Sequence, residues 1–378
     1  MKGNILQKAI GFFKDEMVLS IALLLAVISS CIILPDAQYM GYIDFRTLGI
    51  LFCLMTVMAG LQKIGVFGWV AARLLGRVNN IRHLVLLLLL LCFGFSMFIT
   101  NDVALITFVP FTFIILRMAG EKATERLAVP VIALETVAAN LGSMLTPIGN
   151  PQNLYLYGIS GLGVGAFIGL MLPYTLVSLA LLVGFAMLQG QEKVVLSGSL
   201  EGDVSPARFR GKLIVYFVLF LLCLLTVARI LPYGITLILV VVTVGIADHR
   251  VLARVDYGLL LTFAGFFVFI GNMGRIPAFR TFLEDAIAGN EVLTAVLSSQ
   301  VISNVPAALL LSGFTGDVTS LIVGTNLGGL GTLIASMASL ISYKYIVKEM
   351  PEKKGKYLGY FTVVNVIFLI ILLVIHYV

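Results

Sequence analysis

Polar residues interrupt an apolar segment of this chain between Gly142 and Asn153, where a helix would otherwise continue. The candidate residues there are Gly142, Thr146, Pro147, Gly149, Asn150 and Asn153. Inside a bilayer, irregular backbone is tolerated only where it is buried in protein or lines a wet cavity. Freed carbonyl and N–H groups, together with amide and hydroxyl side chains, can bind a small ion there. The interruption therefore predicts a binding site near the middle of the membrane.

A second interruption repeats the first. Residues 137–157 align without a gap with residues 323–343, and eight of the 21 positions are identical. Asn140 matches Asn326, and the other candidate residues of the second copy are Thr325, Gly328, Gly331, Thr332 and Ser336. Two apolar helices share leucines by chance, but they do not share Asn, Gly and Thr in register. The chain is therefore predicted to be a duplication.

Two short polar stretches, Thr100-Asn101-Asp102 and Ser303-Asn304, each lie between two short apolar segments. This arrangement predicts two re-entrant helical hairpins, at residues 84–117 and 291–314. The half-helix that leaves each tip presents free N–H groups and the positive end of its dipole, which suit an anion. Carbonyl groups of the entering half, with the oxygens of Thr100, Asn101, Ser303 and Asn304, are predicted to suit Na⁺.

Asp102 and Glu135 are the only carboxylates that the sequence places within the membrane. A charge at a helix centre costs roughly 2.5 to 3.5 kcal/mol on insertion scales, so such residues usually serve a proton or ion. The matching positions of the second copy are Val305 and Leu321. Both acids are coupling candidates, and the alternative for each is a protonated acid that makes one hydrogen bond. No Lys or Arg is predicted at this depth.

The composition is that of an integral membrane protein. The 378 residues are 60% hydrophobic and 12% charged, with a mean hydropathy of +1.07. This excludes a soluble domain of any size, and no nucleic-acid partner is expected. The four cysteines lie in apolar segments and are expected to be packing residues. No metal-binding spacing or Ser-His arrangement is found, so we expect neither an enzyme nor a cofactor beyond a coupling ion.

The apolar segments predict an all-α polytopic membrane protein with nine crossings and two hairpins. The predicted crossings are 17–34, 45–61, 127–157, 163–188, 213–231, 235–247, 257–272, 318–343 and 357–376, of which 127–157 and 318–343 are broken helices. A basic amphipathic segment at 62–83 and an interfacial segment at 275–290 are predicted to lie along the membrane surface.

Charge placement predicts the orientation. With nine crossings, 21 of the 25 basic residues fall on the side of the N-terminus, and only Arg46, Arg229, Arg275 and Arg280 fall on the other. Because short cytoplasmic loops hold the positive excess, the N-terminus is predicted to be cytoplasmic and the C-terminus outside, in the cell (inner or plasma) membrane. Residues 1–188 and 213–378 are then two repeats of inverted topology, joined by a cytoplasmic linker at 189–212.

The run Thr-Pro-Ile-Gly-Asn-Pro-Gln-Asn at 146–153, the Asn-bearing tips and the inverted halves resemble the ion transporter superfamily. Its members include divalent-anion/sodium symporters, citrate transporters, arsenite/antimonite efflux permeases and some sodium/proton antiporters. In the symporters a Ser-Asn-Thr triplet at each tip and a Gly-Thr-Pro-Pro-Asn-like run at each break bind sodium and substrate carboxylates. Here Asn101-Asp102 is more similar to the arsenite-permease and antiporter side, which implies proton coupling through Asp102. The resemblance also implies a homodimer.

These observations favour a secondary active transporter of a small anion, either a carboxylate or an inorganic oxyanion, coupled to Na⁺ or H⁺. The alternatives within transport are an arsenite/antimonite-type efflux permease, which moves a metalloid hydroxide, and a Na⁺/H⁺ antiporter. An ion channel is less favoured, because an open pore needs no pair of mirrored closed tips. The sequence does not name the substrate.

Overall fold

A computed structural model describes residues 16–75, 78–193 and 210–378 of the chain. The helices of the first half are α1 Met17–Ile32, α2 Tyr39–Tyr42, α3 Phe45–Lys63, α4 Val66–Leu75, α5 Ile81–Ile99, α6 Asn101–Met118, α7 Glu121–Ser143, α8 Pro151–Ser160 and α9 Val164–Met187. Those of the second half are α10 Arg210–Val227, α11 Tyr233–Asp248, α12 Tyr257–Gly274, α13 Pro277–Ile287, α14 Glu291–Ile302, α15 Asn304–Ser312, α16 Val318–Leu327, α17 Met337–Glu349 and α18 Lys354–Tyr377. Most of the predicted linker, 194–209, lies outside the described residues.

Eight helices of the described chain are long and apolar enough to cross a membrane. They are α3, α5, α6, α9, α10, α12, α18 and α11 with the 3₁₀ turn that follows it. The sequence predicts nine crossings, which include both broken helices and exclude both hairpins. The two helices of that hairpin, α5 and α6, have 19 and 18 residues and are longer than predicted. Re-entrant hairpins and inverted halves remain predictions.

One group of helices forms an outer frame. Helix α1 packs along α12, and α3 packs against α10 and α11. The N-terminal ends of α3 and α12 are capped in the same way, because the Asp44 carboxylate accepts the backbone N–H of Thr47 at 3.0 Å and that of Asp256 accepts the N–H of Leu259 at 2.8 Å. Each aspartate satisfies a helix N–H group that has no partner within its own helix.

A second group packs each hairpin against the helix that enters a break. Helices α5 and α6 contact α7, and α14 and α15 contact α16. Glycine permits both approaches: a Cβ atom added to Gly142 would lie 2.1 Å from the Phe93 carbonyl oxygen, and one added to Gly328 would lie 2.6 Å from Ser299 Oγ. Small residues of this kind allow helix backbones to approach closely in a membrane.

The helices that leave the two breaks exchange partners. The first break runs from residue 144 to 150 and the second from 328 to 336. Helix α8, after the first break, packs against α15 and α16 of the second half. Helix α17, after the second break, packs against α6 and α7 of the first half. Each half therefore supplies the segment that closes the hairpin of the other half.

Candidate functional site

The two hairpin tips have the same backbone conformation. Thr100 has φ 72° and Ser303 has φ 73°, a left-handed region that residues other than glycine rarely adopt. The next N–H groups are bonded alike: Asn101 N donates to the Gly149 carbonyl at 3.2 Å, and Asn304 N donates to that of Ala335 at 2.9 Å. Each tip is therefore tied to the break of its own half, and the strained residue is the one at the turn.

Buried amides join the two halves across the site. Asn140 Oδ1 accepts from Asn101 Nδ2 at 3.0 Å and from Ser336 Oγ at 3.1 Å. Asn326 Oδ1 accepts from Asn150 Nδ2 at 3.1 Å. Since Ser336 aligns with Asn150, the same contact between a helix asparagine and the last residue of the opposite break occurs twice. We call Asn101, Asn140, Asn150, Asn326 and Ser336 the amide ring.

Asn153 and Gln300 brace the two breaks. Asn153 Oδ1 accepts from Asn326 Nδ2 at 2.6 Å. Gln300 Nε2 donates to the carbonyl oxygens of Gly328 at 3.0 Å and Leu330 at 2.9 Å. Sequence reasoning missed Gln300, because the matching position of the first half is Met97 and the duplication gave no signal there.

Two predicted threonines hold the breaks against the hairpins. Thr146 Oγ1 donates to the Met97 carbonyl at 2.5 Å, and Thr332 Oγ1 donates to the Gln300 carbonyl at 3.3 Å. Gly331 has φ 109°, where a side chain would be strained and would also collide with Gln300. These residues shape the breaks rather than line the cavity described next.

Four helices begin at one small cavity of about 20 Å³. Its lining includes the first residues of α6, α8, α15 and α17, and in full it consists of Asn101, Asp102, Pro151, Gln152, Leu259, Asn304, Val305, Ser336, Met337 and Ala338. Each helix N-terminus carries a partial positive charge and N–H groups without partners in the helix, features that suit a bound anion.

A larger cavity of about 180 Å³ adjoins the small one. Asp102 lines both cavities, and Thr100 and Asn150 line the larger one with Gln62, Arg254, Asp256 and a largely apolar wall. Arg254 and Asp256 precede α12 at the end of the outer frame. This cavity is therefore a route between the amide ring and one side of the molecule.

The pocket at the other capped helix stops short of the ring. It has a volume of about 280 Å³ and is lined by Tyr42, Asp44, Tyr155, Ile159, Phe267, Ile270 and Gly271, none of which belongs to the ring. The Tyr155, Phe263 and Phe267 rings pack there with centroids 5.5 to 6.3 Å apart. Tyr155 also hydrogen-bonds Ser312 of the second hairpin at 2.9 Å. We call these three aromatic residues the aromatic barrier.

Two predicted residues do not face the site. The Thr325 hydroxyl donates to the Leu321 carbonyl of its own helix at 2.7 Å. Glu135 is fully buried beside Thr112, whose hydroxyl donates to Glu135 Oε1 at 2.5 Å, and it is absent from the linings of both cavities above. Pro147 lies within the first break and lines neither cavity. Among the described residues, no three His, Cys, Asp or Glu side chains form a metal cluster.

Comparison with known proteins points to transport. A family model described as citrate transporter matches residues 14–316. An uncharacterized transporter of Methanocaldococcus jannaschii is 33% identical over 87% of this chain and 88% of its own length, and inner membrane protein YbiR of Escherichia coli is 33% identical over 80% of each chain. The silicon efflux transporter LSI3 of Oryza sativa is 32% identical over 40% of this chain and 30% of its own.

Proposed function

Because the chain belongs to the citrate transporter family, we propose that it is a secondary active transporter that moves a small anion across the cell (inner or plasma) membrane. The anion is a carboxylate or an inorganic oxyanion, and its movement is coupled to Na⁺ or H⁺. The protein is a multi-pass membrane protein, and its substrate reaches the amide ring from one side at a time.

The convergence of four helix N-termini at the small cavity is the observation that carries this proposal. Helix N-termini bind anions through N–H groups without internal partners and through the dipole. The amide ring adds donors and acceptors that can replace part of the hydration shell of the ligand. Since the cavity lining among the described residues holds no Lys or Arg, a co-bound Na⁺ or proton would supply the remaining positive charge.

The two unequal pockets support alternating access. One cavity adjoins the ring, while the pocket at the opposite capped helix ends at the aromatic barrier. A transporter that exposes its site to one side at a time needs such a closed side. A channel would need both sides open together, so the aromatic barrier argues against one.

A second candidate is the efflux of a neutral metalloid hydroxide. Asp102 and Asp256 both line the larger cavity, against one Arg254, so the route carries a net negative charge when both acids are ionised. This charge would repel a dianion but not an uncharged polyol-like hydroxide. A partial match to a silicon efflux transporter supports the same candidate.

Transport by the purified protein in proteoliposomes tests both candidates. The panel contains citrate, smaller carboxylates, sulfate, arsenite and silicic acid, each with an imposed Na⁺ gradient, an imposed pH gradient or neither. Gradient-driven uptake of a carboxylate or sulfate supports the first candidate. Movement of only arsenite or silicic acid supports the second, and Na⁺/H⁺ exchange without any solute would contradict both.

A further inference from the structure

We propose that Glu135 is a proton-binding site and that the serines of α17 connect it to the amide ring through bound water. This inference deepens the proposed function, because it assigns a coupling proton to a residue outside both cavities. The serines concerned are Ser336, Ser339 and Ser342, which we call the serine track.

The register of α7 and α17 aligns the serine track with α7. Ser336 Oγ contacts Asn140 at 3.1 Å, and Ser342 Oγ accepts from Thr136 Oγ1 at 2.7 Å. Numbering rises along α7 while it falls along α17, so the two helices run antiparallel. Residues three apart lie on one helix face, so Ser339 faces α7 between these two contacts.

Ser339 Oγ has no hydrogen-bond partner although it is fully buried. Its counterpart in the duplication is Asn153, which bonds Asn326 at 2.6 Å and so completes the equivalent place in the other half. A buried hydroxyl without a partner is costly, and water is the usual partner for such a group. A water molecule at Ser339 would join the ring end of the track to its Ser342 end.

Glu135 directly precedes Thr136, which bonds Ser342 at the far end of the track, and it also has an unpaired buried oxygen. The Thr112 hydroxyl donates to Oε1 at 2.5 Å, whereas Oε2 has no partner. None of the ion pairs of the described residues involves Glu135. An ionised carboxylate that is fully buried with one hydrogen bond is strongly disfavoured, so the acid binds a proton here. Neighbouring Thr136 continues the polar contacts to Ser342 and, at 3.4 Å, to Tyr357 OH.

The titratable groups recorded near Glu135 leave the proton on this carboxyl group. Helix α5 presents the Cys92 thiol and α18 presents the Tyr357 phenol, and both are close enough for their charges to interact with Glu135. Helix α6 presents the Thr112 hydroxyl, and the serine track of α17 contacts the next residue of α7, Thr136. Thiols and phenols are neutral at neutral pH, so the carboxyl is the group of this cluster that exchanges a proton with the track.

Infrared spectroscopy of the purified protein in nanodiscs tests the proton on Glu135 without any transport assay. We expect a carbonyl-stretch band of a buried carboxylic acid at neutral pH that Glu135→Gln removes and Thr112→Val shifts in frequency. Asp102→Asn distinguishes the contribution of the other membrane acid. A spectrum that Glu135→Gln leaves unchanged would overturn the proposal.

Two transport rates in proteoliposomes test the serine track: solute uptake driven by a pH gradient, and solute exchange at equal pH. The quantity compared is the ratio of the first rate to the second. We expect Glu135→Gln to lower this ratio at least tenfold and Ser339→Ala to lower it severalfold. Ser178→Ala, which removes a buried hydroxyl bonded to its own helix in α9, is the control and should leave the ratio unchanged. A wild-type ratio in both test variants would refute the track. If wild type moves no solute of the panel, the proposed function fails while the infrared result still decides the site.

Discussion

At the scale of single residues, the amide ring depends on hydrogen bonds that cross between the halves. Asn140 accepts a hydrogen bond from Ser336, and Asn326 accepts one from Asn150. Removing one partner leaves the other buried and unsatisfied, which costs about 1 to 3 kcal/mol. A ligand that enters the ring must therefore replace these bonds with its own.

Asn101→Ala and Asn304→Ala should each lower uptake at least tenfold while the protein remains folded. Both asparagines line the small cavity at a helix N-terminus, and alanine would remove the amide that faces the ligand. Uptake in proteoliposomes measures the effect, with size-exclusion chromatography as the check on folding. Asn365→Ala is the control, since that buried amide bonds only its own helix. Wild-type uptake in either test variant would remove the tips from the site.

Asp102→Asn should abolish the dependence of uptake on an imposed pH gradient if H⁺ is the coupling ion at the tip. The side chain lines both cavities, whereas Asp256 lines the larger one alone. An amide keeps the shape but neither gains nor loses a proton. Uptake as a function of pH on each side of the vesicle measures this, and a profile that matches wild type would exclude Asp102 as the proton carrier.

The duplication marked many of the candidate residues in the sequence. Asn140 and Asn326 stand in register, and the structure bonds Asn140 to Asn101 of the first tip and Asn326 to Asn150. The Thr325 hydroxyl bonds the carbonyl four residues back in its own helix, and Thr325 lines neither cavity. Gln300 and Ser339 were missed because their roles come from packing against segments far along the chain, which one copy of a repeat cannot reveal.

At the scale of elements, the contact between the first hairpin and α7 depends on a residue without a Cβ atom. Gly142→Ala should destabilise the protein by about 1 to 3 kcal/mol, because the new methyl would collide with the Phe93 carbonyl. Thermal unfolding in detergent measures it. Gly94→Ala in α5 is the matched control, since a Cβ there meets nothing within 4 Å. Equal melting temperatures of the two variants would contradict the close approach.

The aromatic barrier gives a second prediction for an element. The double variant Phe263→Ala and Phe267→Ala should connect the pocket beside Asp44 to the amide ring and let protons leak. The faster decay of an imposed pH gradient in vesicles without substrate measures this leak. Phe279→Ala removes one ring of a separate aromatic pair, with Phe314, and should not leak. Tight vesicles of the double variant would show that another element closes this side.

At the scale of the whole molecule, the predicted nine crossings would place the two termini on opposite sides of the membrane. Alkaline phosphatase, which is active only outside the cytoplasm, should be active when fused after Val378. Green fluorescent protein fused before Met1 should fluoresce, because the N-terminus is predicted to be cytoplasmic. An inactive phosphatase fusion would require an even number of crossings and would contradict the predicted topology.

The positions of most helices could be predicted from hydropathy, and their depth in the membrane could not. Predicted segments 163–188 and 257–272 agree closely with α9 and α12, because long apolar runs mark a helix directly. The first hairpin was predicted from two short runs, yet α5 and α6 each extend to polar ends such as the Asn80 cap. Length alone therefore did not separate a hairpin from a pair of crossings.

The exchange of α8 and α17 between the halves also sets the order in which the protein can be built. Contacts of the first hairpin with α7 are local in sequence and can form while the chain is still being synthesised. Contacts of α17 with α7 join residues about two hundred positions apart, as Thr136 and Ser342 do. Until α17 emerges from the ribosome, Asn140 has no Ser336 to bond. The proposed ligand site is thus among the last parts to be completed. A chain that stops before the second break leaves its first half with unpaired amides in lipid, and we expect membrane proteases to degrade it.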